Sequence, residues 1–182
     1  PDSGLRERER VLSSVRRGLR TLTNASGFAG LIPNVGANVA ECLDDARTID
    51  DVAAVPGRLV DVKGQAMVPG EPEFGVSEHV ATVLLAAREA GATARGAVNV
   101  RYAPETVEAL AESSPTVEFD PERPTSEAVG DAVAGAERAV DGSADGDEAL
   151  VLYQTGAVGV EPIVYVLAPT AADAARIVRG LL

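Results

Sequence analysis

Residues 55–88 read VPGRLVDVKGQAMVPGEPEFGVSEHVATVLLAAR, and the rest of the chain is organised around this stretch. The pattern predicts a strand, a turn at Lys63 and Gly64, and a second strand. A glycine-containing loop over residues 70–75 then leads into a long apolar helix, with Ser77 as its N-cap residue. We therefore expect a hairpin that packs close to the start of a helix.

Two side chains of this stretch suit an anionic ligand. His79 is the only histidine of the chain and lies in the first turn of the predicted helix, where the backbone N–H groups attract anions. Arg58 lies at the start of the first predicted strand, and a guanidinium offers phosphate oxygens a planar, permanently charged set of donors. We expect Arg58 and His79 to face one another. The alternatives are a solvent-facing histidine and a surface arginine.

The composition indicates an acidic globular protein. The chain has 182 residues, of which 46% are hydrophobic and 24% are charged, so it is long enough to bury a sizeable core. Its formal net charge is −12, and Lys63 is the single lysine among sixteen basic residues, a balance typical of salt-loving organisms. An acidic surface argues against direct nucleic-acid binding by this domain, because phosphate backbones require concentrated positive charge.

Cysteine usage and the chain start suggest the compartment and the context. Cys42 is the only cysteine, which excludes an internal disulfide and a cysteine zinc cluster, and no other metal-ligand pattern occurs. We expect a cytoplasmic protein without membrane spans and without a structural metal. Because the chain begins at Pro1 without an initiator methionine, we expect that it was cut from a longer protein.

Elements alternate along the rest of the chain. Residues 5–22 predict a first helix that carries six arginines, either a linker helix that touches DNA or a solvated helix face. On this basis residues 1–27 form a linker helix and residues 28–182 the ligand-binding domain. Further predictions are a strand over 38–43, a helical turn over 49–53, strands over 94–102, 116–119, 149–153 and 162–167, helices over 104–112, 126–140 and 171–182 (the last capped by Thr170), and a surface loop over 141–148. This order predicts a three-layer α/β sandwich with a mixed β-sheet.

Several polar positions are candidates for ligand binding. Asn99 and Arg101 share one face at the C-terminal end of a strand, although an asparagine there could simply be hydrogen-bonded to the backbone. Gly156 and Gly159 lie in the turn between the last two strands, where glycine allows backbone N–H groups to point toward a ligand. Asn38 enters the first strand after the bend at Gly36.

Five blocks together resemble the ThiN-type thiamine-phosphate synthase family. They are LIPNVGANVAECL (31–43), DVAAVPGRLVDVKGQ (51–65), GEPEFGVSEHVATVLLAARE (70–89), GAVNVRY (96–102) and TGAVGVEPIVYVLA (155–168). The resemblance covers roughly residues 28–182. It implies a fold like that of the class II aldolase/epimerase proteins. It also implies the joining of hydroxymethylpyrimidine diphosphate to thiazole phosphate, which gives thiamine phosphate and pyrophosphate.

The resemblance assigns expected roles to individual residues. Arg58 and His79 match the arginine and histidine that are expected to act in this family, with Mg²⁺ assisting if the protein is an enzyme. Asn99 and Arg101 would hold the thiazole phosphate or the pyrimidine edge. The opposite wall would consist of Gly156, Gly159 and Glu161, and Asn38 and Ser77 complete the expected set of phosphate-binding residues.

Two departures favour the family's regulatory branch. The resemblance to catalytic members leads us to expect a lysine at position 160, where this chain has Val160. It also leads us to expect a serine- and threonine-rich block where residues 124–139 are alanine-rich. We therefore expect a sensor of thiamine phosphate or thiamine diphosphate, joined to a DNA-binding domain before Pro1. The alternative is an active synthase, fused to a pyrimidine kinase domain. A degenerate member without a ligand is a third alternative, and the sequence leaves a homodimer open.

Overall fold

The computed structural model describes residues 2–139 and 149–182, which form five helices and nine strands. The helices are α1 (Asp2–Thr23), α2 (His79–Glu89), α3 (Pro104–Ala111), α4 (Thr125–Ala139) and α5 (Ala171–Arg179). The strands are β1 (Val39–Cys42), β2 (Val52–Ala54), β3 (Val60–Val62), β4 (Gln65–Met67), β5 (Glu73–Phe74), β6 (Gly96–Arg101), β7 (Thr116–Glu118), β8 (Leu150–Gln154) and β9 (Ile163–Ala168). The predicted loop over residues 141–148 lies outside the described residues.

Seven of the strands form one mixed sheet in the order β5-β2-β1-β6-β9-β8-β7. The β7 and β8 strands pair in parallel, whereas every other pair in the sheet is antiparallel. The remaining strands, β3 and β4, form the predicted hairpin beside the sheet. Helices cover both faces, which confirms the three-layer α/β architecture with a mixed sheet.

Side chains of the central strands alternate between two cores. Val98 and Val100 belong to the core on the side of α1 and α5, whereas Ala97 faces α2 and α4. All six residues of β9, which read IVYVLA, are buried, as expected for a strand covered on both faces. Because side chains alternate along each strand, every second residue faces the α2 and α4 side, where the candidate site lies.

Helix α1 packs against α5 and the sheet. Its apolar side, predicted from the helical spacing, is buried against α5 and the sheet and consists of Val11, Val15, Leu19 and Leu22. Gly96 allows the start of α5 to lie close to β6, because a Cβ at Gly96 would be 2.1 Å from the Thr170 carbonyl carbon. The core is thus continuous across the expected division between residues 27 and 28.

The buried Glu41 ties three elements together. Its Oε1 accepts hydrogen bonds from the Ser14 hydroxyl of α1 and the Ala171 N–H at the start of α5, each at 2.7 Å. Burial raises the pKa of this carboxyl, and the two hydrogen bonds oppose the rise. The junction of α1, β1 and α5 therefore depends on an interior carboxyl group.

Four local predictions differ from the structure. The helical turn over residues 49–53 ends at Asp51 and gives way to β2, while residues 73 and 74 of the expected loop pair with β2 as β5. Ser77 is buried but is not the N-cap residue of α2; Glu78 holds that position without a side-chain cap. Arg58 has a φ of 62°, in the left-handed region, and therefore does not begin a strand.

Within the described residues, no helix is long and apolar enough to cross a membrane.

Candidate functional site

A cleft of about 290 Å³ opens on the α2 and α4 side of the sheet. Its lining brings together residues from seven separate segments of the chain. Seven of the nine residues predicted from the sequence line it, namely Asn38, Arg58, Ser77, His79, Asn99, Gly159 and Glu161. Arg101 and Gly156 do not line it. The cleft is therefore the place where the sequence-derived candidates meet, whatever role each one has.

Two helices begin at this cleft. His79 is the first residue of α2 and Thr125 the first residue of α4, and both side chains line the cleft. The first N–H groups of each helix lack intrahelical partners and carry the positive end of the helix dipole. Because α2 and α4 pack against each other, their N-termini create a local preference for negative charge. The sequence indicated the first helix terminus but not the second.

Arg58 supplies a permanent positive charge at one side of the cleft. Its Nη1 donates a hydrogen bond to the Val35 carbonyl oxygen at 2.7 Å, and this is its single side-chain hydrogen bond within the described part of the chain. The neighbouring Leu59 exchanges two backbone hydrogen bonds with Ala37, of 2.8 and 2.9 Å, which fix the backbone beside Arg58. Four of its five N–H donors thus remain for a ligand.

Asn38 and Asn99 shape the cleft through the backbone. The Asn99 Oδ1 accepts the Asn38 N–H at 2.6 Å, and the Asn99 Nδ2 donates to the Gly36 carbonyl oxygen at 3.2 Å. The Asn38 side chain bonds to both the N–H and the carbonyl oxygen of Val55, at 2.9 and 3.0 Å. Both amides are buried and hold the loop that precedes β1. Asn99 thus makes the backbone hydrogen bonds that the sequence left open as an alternative to ligand binding.

Arg101 and Glu161 hold the same loop from outside. The Arg101 Nη2 donates to the Ile32 carbonyl oxygen at 3.1 Å, and Arg101 is not among the residues that line the cleft. Glu161 lines the cleft, but its Oε1 accepts the Asn34 N–H at 2.5 Å and its Oε2 accepts the Val35 N–H at 3.4 Å. These contacts connect the turn before β9 to the loop beside Arg58.

The two glycines of that turn differ in their surroundings. The Gly156 N–H donates to the Gln154 Oε1 at 2.7 Å, so it does not point toward a ligand as predicted. The Gln154 Nε2 in turn donates to the Glu161 carbonyl oxygen, also at 2.7 Å. Gly159, with a φ of 76°, lines the cleft beside Val160. Gln154 thus organises the turn, and no sequence motif distinguished it beforehand.

An aromatic pair contributes to the lining of the cleft. Phe119 follows β7 and Tyr165 lies on β9, with ring centroids 6.1 Å apart and planes tilted by 44°. Burial raises the pKa of the Tyr165 hydroxyl to about 12, and the positive charge of Arg58 opposes the rise. Ile163 and Val160 add apolar surface next to them. The cleft lining therefore combines apolar side chains with positively polarised helix termini.

The cleft does not fit a resident metal ion. Of its described lining residues, Glu161 is the one carboxylate, and both of its oxygens accept backbone N–H groups. The residues described by the structure contain no group of three His, Cys, Asp or Glu side chains that could hold a metal. Mg²⁺ prefers one or two free carboxylates together with water and phosphate oxygens. The expected role of Mg²⁺ stays a prediction.

The family model described as thiamine-phosphate synthase ThiN matches residues 14–180. The thiamine-phosphate synthase ThiN of Methanothermobacter thermautotrophicus is 29% identical over 177 residues, which cover 94% of this chain and 92% of that protein. The bifunctional thiamine biosynthesis protein ThiDN of Methanocaldococcus jannaschii is 36% identical over 91 residues, or 50% of this chain and 22% of that protein. A solved structure titled as the C-terminal domain of phosphomethylpyrimidine kinase matches with a TM-score of 0.81 and 25% identity, covering 97% of this chain and all of that domain.

Proposed function

The chain belongs to the ThiN thiamine-phosphate synthase family, and from this premise we propose that its cleft joins hydroxymethylpyrimidine diphosphate to thiazole phosphate. In this reaction the bond between the pyrimidine methylene carbon and the diphosphate oxygen breaks, and the electron pair leaves with pyrophosphate. The thiazole nitrogen supplies the electron pair of the new carbon–nitrogen bond. The products are thiamine phosphate and pyrophosphate.

The observation that supports this proposal most is the convergence of Arg58, His79 and two helix N-termini on one cleft. Negative charge develops on the departing diphosphate, and donors that are already positioned stabilise such charge without reorganisation. Arg58 has four free N–H donors for the phosphate oxygens. His79, with no side-chain hydrogen-bond partner in the described residues, can donate to a second oxygen.

The substrates also suit the rest of the cleft. The aromatic pair of Phe119 and Tyr165 offers a floor for a planar heterocycle. A site that holds both reactants side by side replaces an encounter in solution by a reaction within one complex. The helix termini and Arg58 are expected to compensate for the lysine that Val160 replaces.

The expected sensor function receives less support than synthesis. The relative matched over nearly its full length is named as a synthase, and the partial match is named as a biosynthesis protein. Of the two departures that favoured a sensor, Val160 lies in the cleft lining, with 40% of its surface exposed. A thiamine-phosphate sensor joined to a DNA-binding domain is therefore the second candidate.

Turnover separates the two candidates. The purified protein is mixed with both substrates in Mg²⁺ and high salt, and thiamine phosphate and pyrophosphate are quantified by chromatography. The proposal predicts that the two products form in equal amounts. Binding of thiamine phosphate in calorimetry without any turnover would contradict synthesis and support the sensor.

A further inference from the structure

The Tyr165 side chain is almost fully buried, and its hydroxyl has no partner among the residues that the structure describes. Tyr165 is 6% exposed and lies on β9, opposite Asn99 of β6 and Leu152 of β8. Within residues 2–139 and 149–182, its hydroxyl makes no hydrogen bond, whereas every fully enclosed side-chain polar atom there has a partner. The hydroxyl is therefore not sealed, and it opens onto the cleft that Tyr165 lines.

The accessible part of this hydroxyl can be hydrated through the cleft. A ligand that covers it would remove a hydrogen bond to water, and the loss would weaken binding unless it is replaced. An acceptor on a bound ligand would restore that bond. Because its high pKa keeps the phenol neutral around neutral pH, Tyr165 acts there as a neutral donor.

The surroundings of the hydroxyl favour a heterocycle over a phosphate group. The Tyr165 ring packs on Phe119, and Ile163 and Val160 line the cleft nearby. A phosphate placed on the apolar side chains would lose hydration, whereas a neutral planar ring would bury apolar area there. The donors that suit a phosphate group are Arg58, His79 and the first turns of α2 and α4.

We propose that Phe119 and Tyr165 form the subsite for the pyrimidine ring, and that the Tyr165 hydroxyl donates a hydrogen bond to a ring nitrogen. This assignment rests on the proposed function. It goes further because it gives the pyrimidine ring and the diphosphate of one substrate separate positions in the cleft. The ring lies on the aromatic pair, and the diphosphate extends toward Arg58 and the helix N-termini. Tyr165 is thus a binding residue that selects a heterocycle with an acceptor nitrogen.

The test uses two probes that each represent one half of the substrate. Unphosphorylated hydroxymethylpyrimidine and inorganic pyrophosphate are titrated separately into the wild-type protein and the Tyr165→Phe variant. The variant keeps the ring and its packing, so its thermal unfolding should match that of the wild type. We expect its affinity for the pyrimidine to fall about three- to tenfold, the effect of one neutral hydrogen bond, and its affinity for pyrophosphate to change less than about twofold.

Tyr153→Phe is the matched control. Tyr153 lies on the adjacent strand β8, and its ring stacks on Tyr102 with the centroids 6.0 Å apart, on the side of α1 and α5. Removal of its hydroxyl should leave the affinity for both probes unchanged. A loss equal to that of Tyr165→Phe would overturn the assignment, since the effect would then be general.

Other outcomes contradict the subsite directly. A variant that loses affinity for pyrophosphate but not for the pyrimidine would place the hydroxyl at the phosphates, and unchanged affinity for both probes would remove Tyr165 from binding. Absence of pyrimidine binding by the wild type would also overturn the proposal. These titrations need no turnover, so an inactive protein with the expected losses would contradict synthesis while it supports the subsite.

Discussion

Gly36 packs directly against the side chain of Arg58. A Cβ built on Gly36 would lie 3.0 Å from the Arg58 Cβ and 3.2 Å from its Cδ, and Gly36 has a φ of 93°. Both facts require glycine, the first for space and the second for backbone conformation. The loop before β1 and the arginine after β2 are therefore fitted to each other, and the position of the guanidinium depends on a residue without a side chain.

Gly36→Ala should therefore lower both stability and activity. The left-handed backbone should cost about 1 to 2 kcal/mol in the free energy of unfolding, and the new methyl group must also displace Arg58. Gly64→Ala is the control, because Gly64 has a φ of 84° but no neighbouring atom within 4 Å of the position that a Cβ would take. Denaturant unfolding and kcat/KM are measured for both. Equal activity losses in the two variants would contradict the role of the Arg58 contact.

His79→Ala should reduce activity without reducing stability. His79 is exposed and its side chain has no hydrogen-bond partner in the part of the chain that the structure describes, so the free energy of unfolding should change by less than about 0.5 kcal/mol. Loss of a donor to the leaving group should lower kcat by about a hundredfold. His79→Gln, which retains a donor, should recover part of the rate. Wild-type kcat in His79→Ala would exclude this residue from the chemistry.

Gln154→Ala should loosen the turn before β9. The substitution removes two hydrogen bonds of 2.7 Å, to Gly156 and Glu161, and should lower the free energy of unfolding by about 2 kcal/mol. Thr155→Ala is the adjacent control, because the Thr155 hydroxyl makes one exposed contact of 3.4 Å with Glu118. The control should change stability by less than about 0.5 kcal/mol. Similar destabilisation of both variants would show that Gln154 has no special role.

Glu41 should make stability depend on pH in a defined direction. Burial raises the pKa of its carboxyl above the ordinary value of 4.5, so the folded state favours the protonated form. Relative to Glu41→Gln, the wild type should gain free energy of unfolding as the pH falls and lose it as the pH rises through the folded pKa. Urea unfolding of both proteins across the range from mildly acidic to mildly basic pH measures this difference. A difference that increases with pH would contradict the assigned direction.

Long, periodic elements were predictable from the sequence. The spacing of Val11, Val15, Leu19 and Leu22 predicted the buried side of α1, and Thr170 caps α5 as expected, with its hydroxyl accepting the Asp173 N–H at 3.1 Å. The turn at Lys63 and Gly64 indicated the short strands β3 and β4, whereas the similarly short β2 and β5 were not predicted, because they have three and two residues and no periodicity. They exist through pairing with distant strands, which a local pattern does not encode.

Within the site, residue types indicated the location better than the roles. Arg58, His79 and Ser77 come from one stretch of the sequence and line the same cleft. For Asn99 and Arg101 the sequence left both a ligand and the backbone as partners, and in the structure the loop before β1 supplies backbone partners to both. The cleft positions of Thr125 and Tyr165 depend on packing between segments far apart in sequence.

The rate of thiamine phosphate formation by variants of Arg58 shows whether synthesis occurs in this cleft. Arg58→Ala should lower kcat/KM about a hundredfold or more, and Arg58→Lys, which keeps the charge but loses the planar fork, should restore part of it. Arg123→Ala is the control, because Arg123 is paired with Asp131 at 2.8 Å and does not line the cleft. It should react at the wild-type rate. Wild-type kcat/KM in Arg58→Ala would contradict the account.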